Sequence, residues 1–415
     1  MSTPGRPHRG AGRGAGAGPN RARDPANARR RQAVRRRRAA ALAVVGLVAL
    51  VVALANAGGG GHQHHVTPRV AAQVYRVPPL LNPTNVYAAD YPRDLSPVDR
   101  NDPSLIYVPN SQSNTVDVID PSTYQIIRCF PVPRRPEHVV PSYDLKRLYV
   151  ASDLGNALTP INPATGMQSG PPIHVADPYN LYFSPDGHYA ITVAELLRRL
   201  DFRNSRTMRL IKSLPVPTCP GIDHADFSAD GRYMYASCEA LGSMIEIDLT
   251  QLKVTRTLDL QPKPASPQDV KLSPDGKLLY VADQDRGGLW EIDPQSFTVI
   301  RFLPTGSGAH GLYPSRDARF LYVSNRTAGT ISVIDFATRQ IVHTWSLGSS
   351  SPDMGGVSDD GKTLWLSGRY NAVVYAINTQ TGQLRATIHV GLGPHGVCVW
   401  PQPGRYSLGH TGILR

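Results

Sequence analysis

Between residues 105 and 400 the chain repeats one pattern of short strands and turns seven times. An Asp or Asn that closes the third strand of the unit recurs at Asp120, Asn162, Asp201, Asp248, Asp293, Asp335 and Asn378, spaced 39 to 47 residues apart. A tight-turn aspartate recurs at Asp144, Asp186, Asp230, Asp275, Asp317 and Asp360, 42 to 45 residues apart. Repeats of this length, built from short strands and Gly/Pro/Asp turns, predict a β-propeller. In the clearest copy the four strands read Asp269–Leu272, Leu278–Ala282, Gly288–Ile292 and Thr298–Leu303, from the channel outward. An α-solenoid would need apolar residues at helical spacing, and no copy shows it.

The fold class is therefore all-β: a seven-bladed propeller of four-stranded antiparallel blades. Leu105–Pro109 begins the first blade as a second strand with no inner strand before it, and Gly396–Trp400 is an inner strand left without a blade. Pairing the two would close the ring and remove its open edges. In the third copy Ala190–Glu195 runs into Leu196–Asp201 without the usual polar link, which predicts a disturbed outer edge there.

The phrases Leu321-Tyr322-Val323-Ser324-Asn325, Thr330–Asp335 and Gly393-Pro394-His395-Gly396-Val397 resemble the YVTN β-propeller repeat family of extracytoplasmic proteins, across residues 105–400. The resemblance implies the fold. It implies no single reaction, because that family is defined by its repeat.

Residues 1–38 hold twelve Arg and one Asp, which leaves the other 377 residues near neutral at +1. The high pI belongs to an Arg-rich cytoplasmic tail, and no nucleic acid is expected on the folded domain. After Arg35–Arg38 come 17 apolar or small residues, Ala39 to Ala55, about 26 Å as a helix. With the arginines kept inside, the domain faces outward. Residues 39–57 then form a single-pass transmembrane signal-anchor, or a signal peptide cleaved after Ala57 that leaves a secreted protein. The long basic segment before the apolar run favours the anchor. Residues 58–104 read as a linker and N-terminal extension, and 105–415 as the propeller.

Export permits disulfides. Cys219 precedes an inner strand and Cys238 ends the adjacent second strand, so antiparallel pairing predicts a Cys219–Cys238 bridge. Cys129 on the outermost strand and Cys398 on the innermost have two strands between them within one blade, out of bonding reach, and read as buried free thiols.

Aligning the copies on their tight turns places the starts of the inner strands at one end of the channel: Glu137-His138, Tyr179-Asn180, Asp223-His224, Gln268-Asp269, His310-Gly311, Asp353-Met354 and His395-Gly396. Second-strand ends add Asn110, Asp153, Glu195, Glu239, Asp283, Arg326 and Arg369. Imidazoles and carboxylates converging from different repeats could hold a divalent metal or an anionic ligand. Equally, Pro-His-Gly could belong to the repeat, with its His bonded to the backbone of a neighbouring blade. His62-Gln63-His64-His65 is a second, linker-borne candidate for a cation, and Arg198-Arg199 a charged loop. Trp290, Trp345 and Trp365 read as core between blades.

No Walker loop, zincin helix, nucleophile elbow or haem-attachment motif occurs. The expected function is a membrane-anchored extracytoplasmic module that binds a ligand, an extracytoplasmic protein or a cell-envelope component. The alternative is a metal-dependent propeller enzyme, lactonase-like or quinoprotein-like, using the His/carboxylate face.

Overall fold

Each Ser-x-Asp turn is held by the same bonds, and these turns set the blades. In six blades the serine hydroxyl donates to the Asp Oδ1 two residues on, at 2.5–2.8 Å. That carboxylate also accepts the N–H two residues further, from Lys146, His188, Arg232, Lys277, Arg319 and Lys362. The residue after the aspartate has positive φ, and it is Gly except at Leu145 (φ 60°) and Ala318 (φ 55°). The hydroxyl–carboxylate bonds thus hold the turn even where the residue disfavours it.

The computed structural model describes residues 75–410 and 412–415, and their strands form seven sheets in ring order. Counting from the blade closed by both ends of the chain, the inner strands are Cys398–Trp400, Pro136–Pro141, Asn180–Phe183, Ile222–Phe227, Pro267–Leu272, Ala309–Pro314 and Pro352–Val357. Closure follows the expected pairing: Leu105 faces Trp400, Ile106 faces Val399 and Tyr107 faces Cys398.

Among the described residues the apolar core is seven wedges, one between each pair of adjacent blades. Successive side chains of a strand point to opposite faces. Leu105 and Tyr107 therefore join the wedge against blade 2, and Ile106 and Val108 the wedge against blade 7. Trp290, Trp345 and Trp365 sit in such wedges, as expected.

Three expectations need correction. The strand-closing residue of blade 3 is Asn204, not Asp201: its Oδ1 accepts the N–H groups of Arg206 and Thr207, as Asp120 does for Ser122. Asp201 lies inside strand Arg199–Asn204, gripped by Arg199 at 3.0 Å, Arg203 at 3.2 Å and Ser213 at 2.5 Å. Blade 3 accordingly has a complete outer strand, Leu210–Pro215. The broken outer edge belongs to blade 2, split into Met167–Gln168 and Ile173–His174 around Pro171-Pro172, which have no N–H for the ladder. Finally, Cys398 is buried but Cys129 is exposed, because its outermost strand has only solvent on one side. The Cys219–Cys238 bridge forms as expected.

The described segments before and after the repeats pack on the turn face or inside the channel. Residues 75–104 cross that face from blade 4 to blade 1. Tyr75 OH donates to Gly231 O, Tyr87 OH to Leu272 O, Asp90 pairs with Arg316, and Trp400 Nε1 donates to Asp102. Beyond Trp400 the chain turns into the channel and lies along the inner strand of blade 3. There Phe183 N–H donates to Leu408 O and His410 N–H to Leu181 O, both at 2.9 Å. Gly409 (φ 93°) makes this approach possible, since a Cβ there would strike Leu181 O and Tyr182 Cα. Tyr406, Leu408 and Ile413 complete the wedge of blades 3 and 4. Arg415 closes the plug against Asp226 at 3.0 Å and over the Tyr87 ring.

Candidate functional site

At the start of five inner strands the pairing with the second strand slips by one residue. Glu137, Asp223-His224, Gln268-Asp269, His310-Gly311 and Asp353-Met354 occupy these slips. A bulge bends the strand and re-aims its side chains, so the aligned dipeptides turn toward the axis. In blades 4, 6 and 7 the serine opposite holds the bulge: Ser237, Ser324 and Ser367 accept N–H groups from His224, Gly311 and Met354.

The result is two layers. Deepest are His138, His224, His310 and His395 with Asp269 and Asp353, all at most 3 % exposed. A fifth imidazole, His410, enters from the tail and is wholly buried. Its ring lies 4.7 Å from His224 and 5.5 Å from His138, and His138 is 4.8 Å from His395. The ligand atoms of His138, His224 and His410 all fall within 4.8 Å of one another. Gly396 is required beside them, because a Cβ would strike the His138 ring.

The outer layer is charged. Glu137 accepts from Arg135 at 2.8 Å and Arg369 at 3.3 Å. Arg326 reaches Asp353 at 3.2 Å and Gln284, and Gln284 reaches Glu239. Asn110 and Asp283 belong elsewhere: Asn110 bonds Thr115 and Asp117 within its own blade, and Asp283 accepts the Trp290 indole N–H.

Each deep side chain has a distinct support. His138 Nδ1 lies 2.9 Å from Tyr179 O in the next blade, and its Nε2 has no hydrogen-bond partner; the His of Pro-His-Gly itself, His395, faces the Glu137 carboxylate instead. His224 and His410 each turn Nδ1 to the Asn180 amide, at 3.3 and 3.0 Å. His224 Nε2 lies 3.3 Å from Asp223 and His410 Nε2 3.4 Å from Asp269. Asp269 also accepts the Lys271 ammonium at 3.0 Å and the Leu312 N–H.

Burial disfavours imidazolium, so His138 and His310 are pushed down to about 3 and His224, His395 and His410 below their ordinary range. Burial would raise Asp269 and Asp353. The Lys271 ammonium and the hydrogen bond from His410 bring Asp269 below the usual range instead, and the Arg326 guanidinium holds Asp353 at about 2. Beside them the order reverses: burial and Glu239 raise buried Asp223 well up and bring the half-buried Glu195 to about 7. Neutral imidazoles with carboxylates charged among them are a ligand set for borderline metals such as Zn(II), Cu(II), Ni(II) or Co(II).

His410 was not visible as a site residue in the sequence, because the tail has no counterpart in the repeat. Its only signal is a Gly-His pair in a segment that follows the last inner strand. Lys271 and Arg135 were also missed. His62, His64 and His65 lie outside the described residues.

The chain matches the YNCE-like β-propeller family over residues 67–404. It belongs to that family. No curated protein matches its sequence. Among solved structures, Kuenenia stuttgartiensis hydrazine synthase shares 18 % identity at a TM-score of 0.54, over 69 % of this chain and 92 % of that one. The dihydro-heme d1 dehydrogenase NirN shares 17 % at 0.56, over 78 % and 82 %. A candidate 6-phosphogluconolactonase from Bacteroides uniformis shares 19 % at 0.56, over 71 % and 98 %. At these identities the likeness is one of fold. Among the described residues no helix is long and apolar enough to cross a membrane, and residues 39–55 lie outside them.

Proposed function

We propose that this YNCE-like propeller is an extracytoplasmic binding module that holds a transition-metal ion at His138, His224 and His410. The observation that carries the reading is the convergence of three wholly buried imidazoles, one of them delivered by the C-terminal plug. His138 is oriented for the role by its bond to Tyr179 O, which leaves Nε2 toward the channel. Retention at the membrane through residues 39–55, N-terminus inside, is supported by Arg35–Arg38 before the apolar run. The partner class is then an extracytoplasmic protein or envelope component docking on the loop face.

A second reading, a metal-dependent enzyme, draws on one observation. Asp223, buried beside His224, and the half-buried Glu195 are both held as protonatable acids. The lactonase and dehydrogenase neighbours are compatible with it through their fold alone.

Metal analysis of the untagged chain tests the main reading. At least one ion per chain should survive dialysis, and the ion at the triplet should be lost in a His138→Gln/His410→Ala double variant that still melts cooperatively. A wild-type chain that retains no metal after loading would sink it. Hydrolase or oxidoreductase turnover abolished by Asp223→Asn would favour the enzyme.

A further inference from the structure

Beside the imidazole triplet lies a second buried group, His310, Asp353 and His395, whose ligand atoms also fall within 4.8 Å of one another. They come from the inner-strand starts of blades 6, 7 and 1, on the other side of the channel axis from Asn180. Two observations separate this group from an ordinary ion-pair network.

His395 stands between two carboxylates: Nδ1 is 2.8 Å from Glu137 Oε2, without hydrogen-bond alignment, and Nε2 is 3.7 Å from Asp353 Oδ2. A neutral imidazole has one N–H. With that proton toward Glu137, Nε2 turns its lone pair to a carboxylate lone pair across a short gap. Two acceptors facing each other in this way are what neighbouring ligands of one cation show. Bonds of about 2.1 Å in a tetrahedral shell place such atoms about 3.4 Å apart.

The second observation is Asp353 itself. It is wholly buried, its Oδ1 takes Arg326 at 3.2 Å, and its Oδ2 has no hydrogen-bond partner. A buried carboxylate oxygen left bare is costly. Arg326 and Arg369 occupy the outward sides of Asp353 and Glu137, so the bare oxygen is the one turned to His395. His310 Nδ1 lies 3.1 Å from Asp353 Oδ1 without hydrogen-bond alignment.

We propose that His310, Asp353 and His395 hold a second transition-metal ion, forming a dinuclear centre with the ion of the His138/His224/His410 triplet. The two ligand sets are in ring contact, His138 on His395 at 4.8 Å and His224 on His310 at 6.0 Å. The dinuclear character rests on the reading of the first site, whereas the second ion stands on its own three ligands. Glu137 acts as the outer carboxylate that orients a liganding imidazole.

The test uses the full-length chain, untagged, stripped with chelator, loaded with Cu(II) and dialysed. Two copper ions per chain are expected, with magnetic coupling between them in the electron paramagnetic resonance spectrum. Asp353→Asn or His310→Gln should leave one ion and no coupling, and His410→Ala should leave one ion at the other position. One ion per chain in the wild type, indifferent to Asp353→Asn and lost in His410→Ala, would overturn the second site and keep the first. No copper at all would overturn both. Two uncoupled ions, one of them lost when His62, His64 and His65 are replaced by Ala, would also overturn it. The wild-type stoichiometry and coupling decide the matter even where a variant fails to fold.

Discussion

Glu195 shows how single residues at the solvent side of the channel differ from those at its floor. Burial, then Glu239, raises it to about 7, whereas an unfolded chain ionises it near the ordinary 4.5. A group raised in the fold contributes stability below its unfolded value and loses it as pH rises through the folded one. Glu195→Gln should therefore change little at pH 5 and stabilise by about 1–2 kcal/mol at pH 8, after discounting for its partial exposure. Equal melting shifts at both pH values would refute this. The thiols make a second residue-scale test. Cys129 is exposed, although partial burial and Asp117 push it up to about 11, and Cys398 is buried. One thiol should react slowly in the native protein, a second only on denaturation, and none beyond two without reductant.

At the scale of the element, the turns are the most regular device in the molecule. Their Ser–Asp bonds recur in six blades, while Leu145 and Ala318 take the left-handed position that glycine fills elsewhere. That conformation costs a residue with a Cβ roughly 1–2 kcal/mol. Ala318→Gly should recover about 1 kcal/mol, with glycine's greater unfolded freedom offsetting the rest. Chemical denaturation would measure it, and a loss of stability would mean that the Ala318 methyl packs usefully against the wedge of blades 4 and 5. The bulges do opposite work: they give up one ladder pairing per inner strand, and what they gain is the inward aim of the site residues.

For the whole molecule, the strand Leu105–Asn110 pairs with Cys398–Trp400 to close the ring, and the tail beyond plugs it. Deleting residues 394–415 removes the inner strand of blade 1 and the buried Tyr406, Leu408, Ile413 and Leu414. Each wedge is shared between neighbouring blades, so the loss should spread around the ring. We expect a cooperative destabilisation of several kcal/mol, beyond most single-site effects. Deleting residues 1–57 should leave the melting transition almost unchanged. A C-terminal deletion that melts like the full chain would show that the strand pairing at Leu105–Tyr107 carries little of the stability.

Much of this was legible from local pattern. Turn chemistry and alternating apolar residues act over a few residues, so the period alone announced seven blades, their strand order, the closing pair and the Cys219–Cys238 bridge. Aligning the copies also brought Glu137, His138, Asp223, His224, Asp269, His310, Asp353 and His395 to one end of the channel, because equivalent positions in a ring share a height. The choice between Asp201 and Asn204 was also legible, since Asp201 leaves intervals of 39 and 47 residues where Asn204 gives 42 and 44. The alignment could not tell which ring residues meet at the axis and which, like Asn110 and Asp283, bond within their blade. His410 was out of its reach altogether. Its place depends on the path of a tail that pairs with a strand some 230 residues earlier, through a glycine that lets two backbones touch. Contacts across a channel are set by the closed ring and by what fills it, and no periodicity along the chain encodes them.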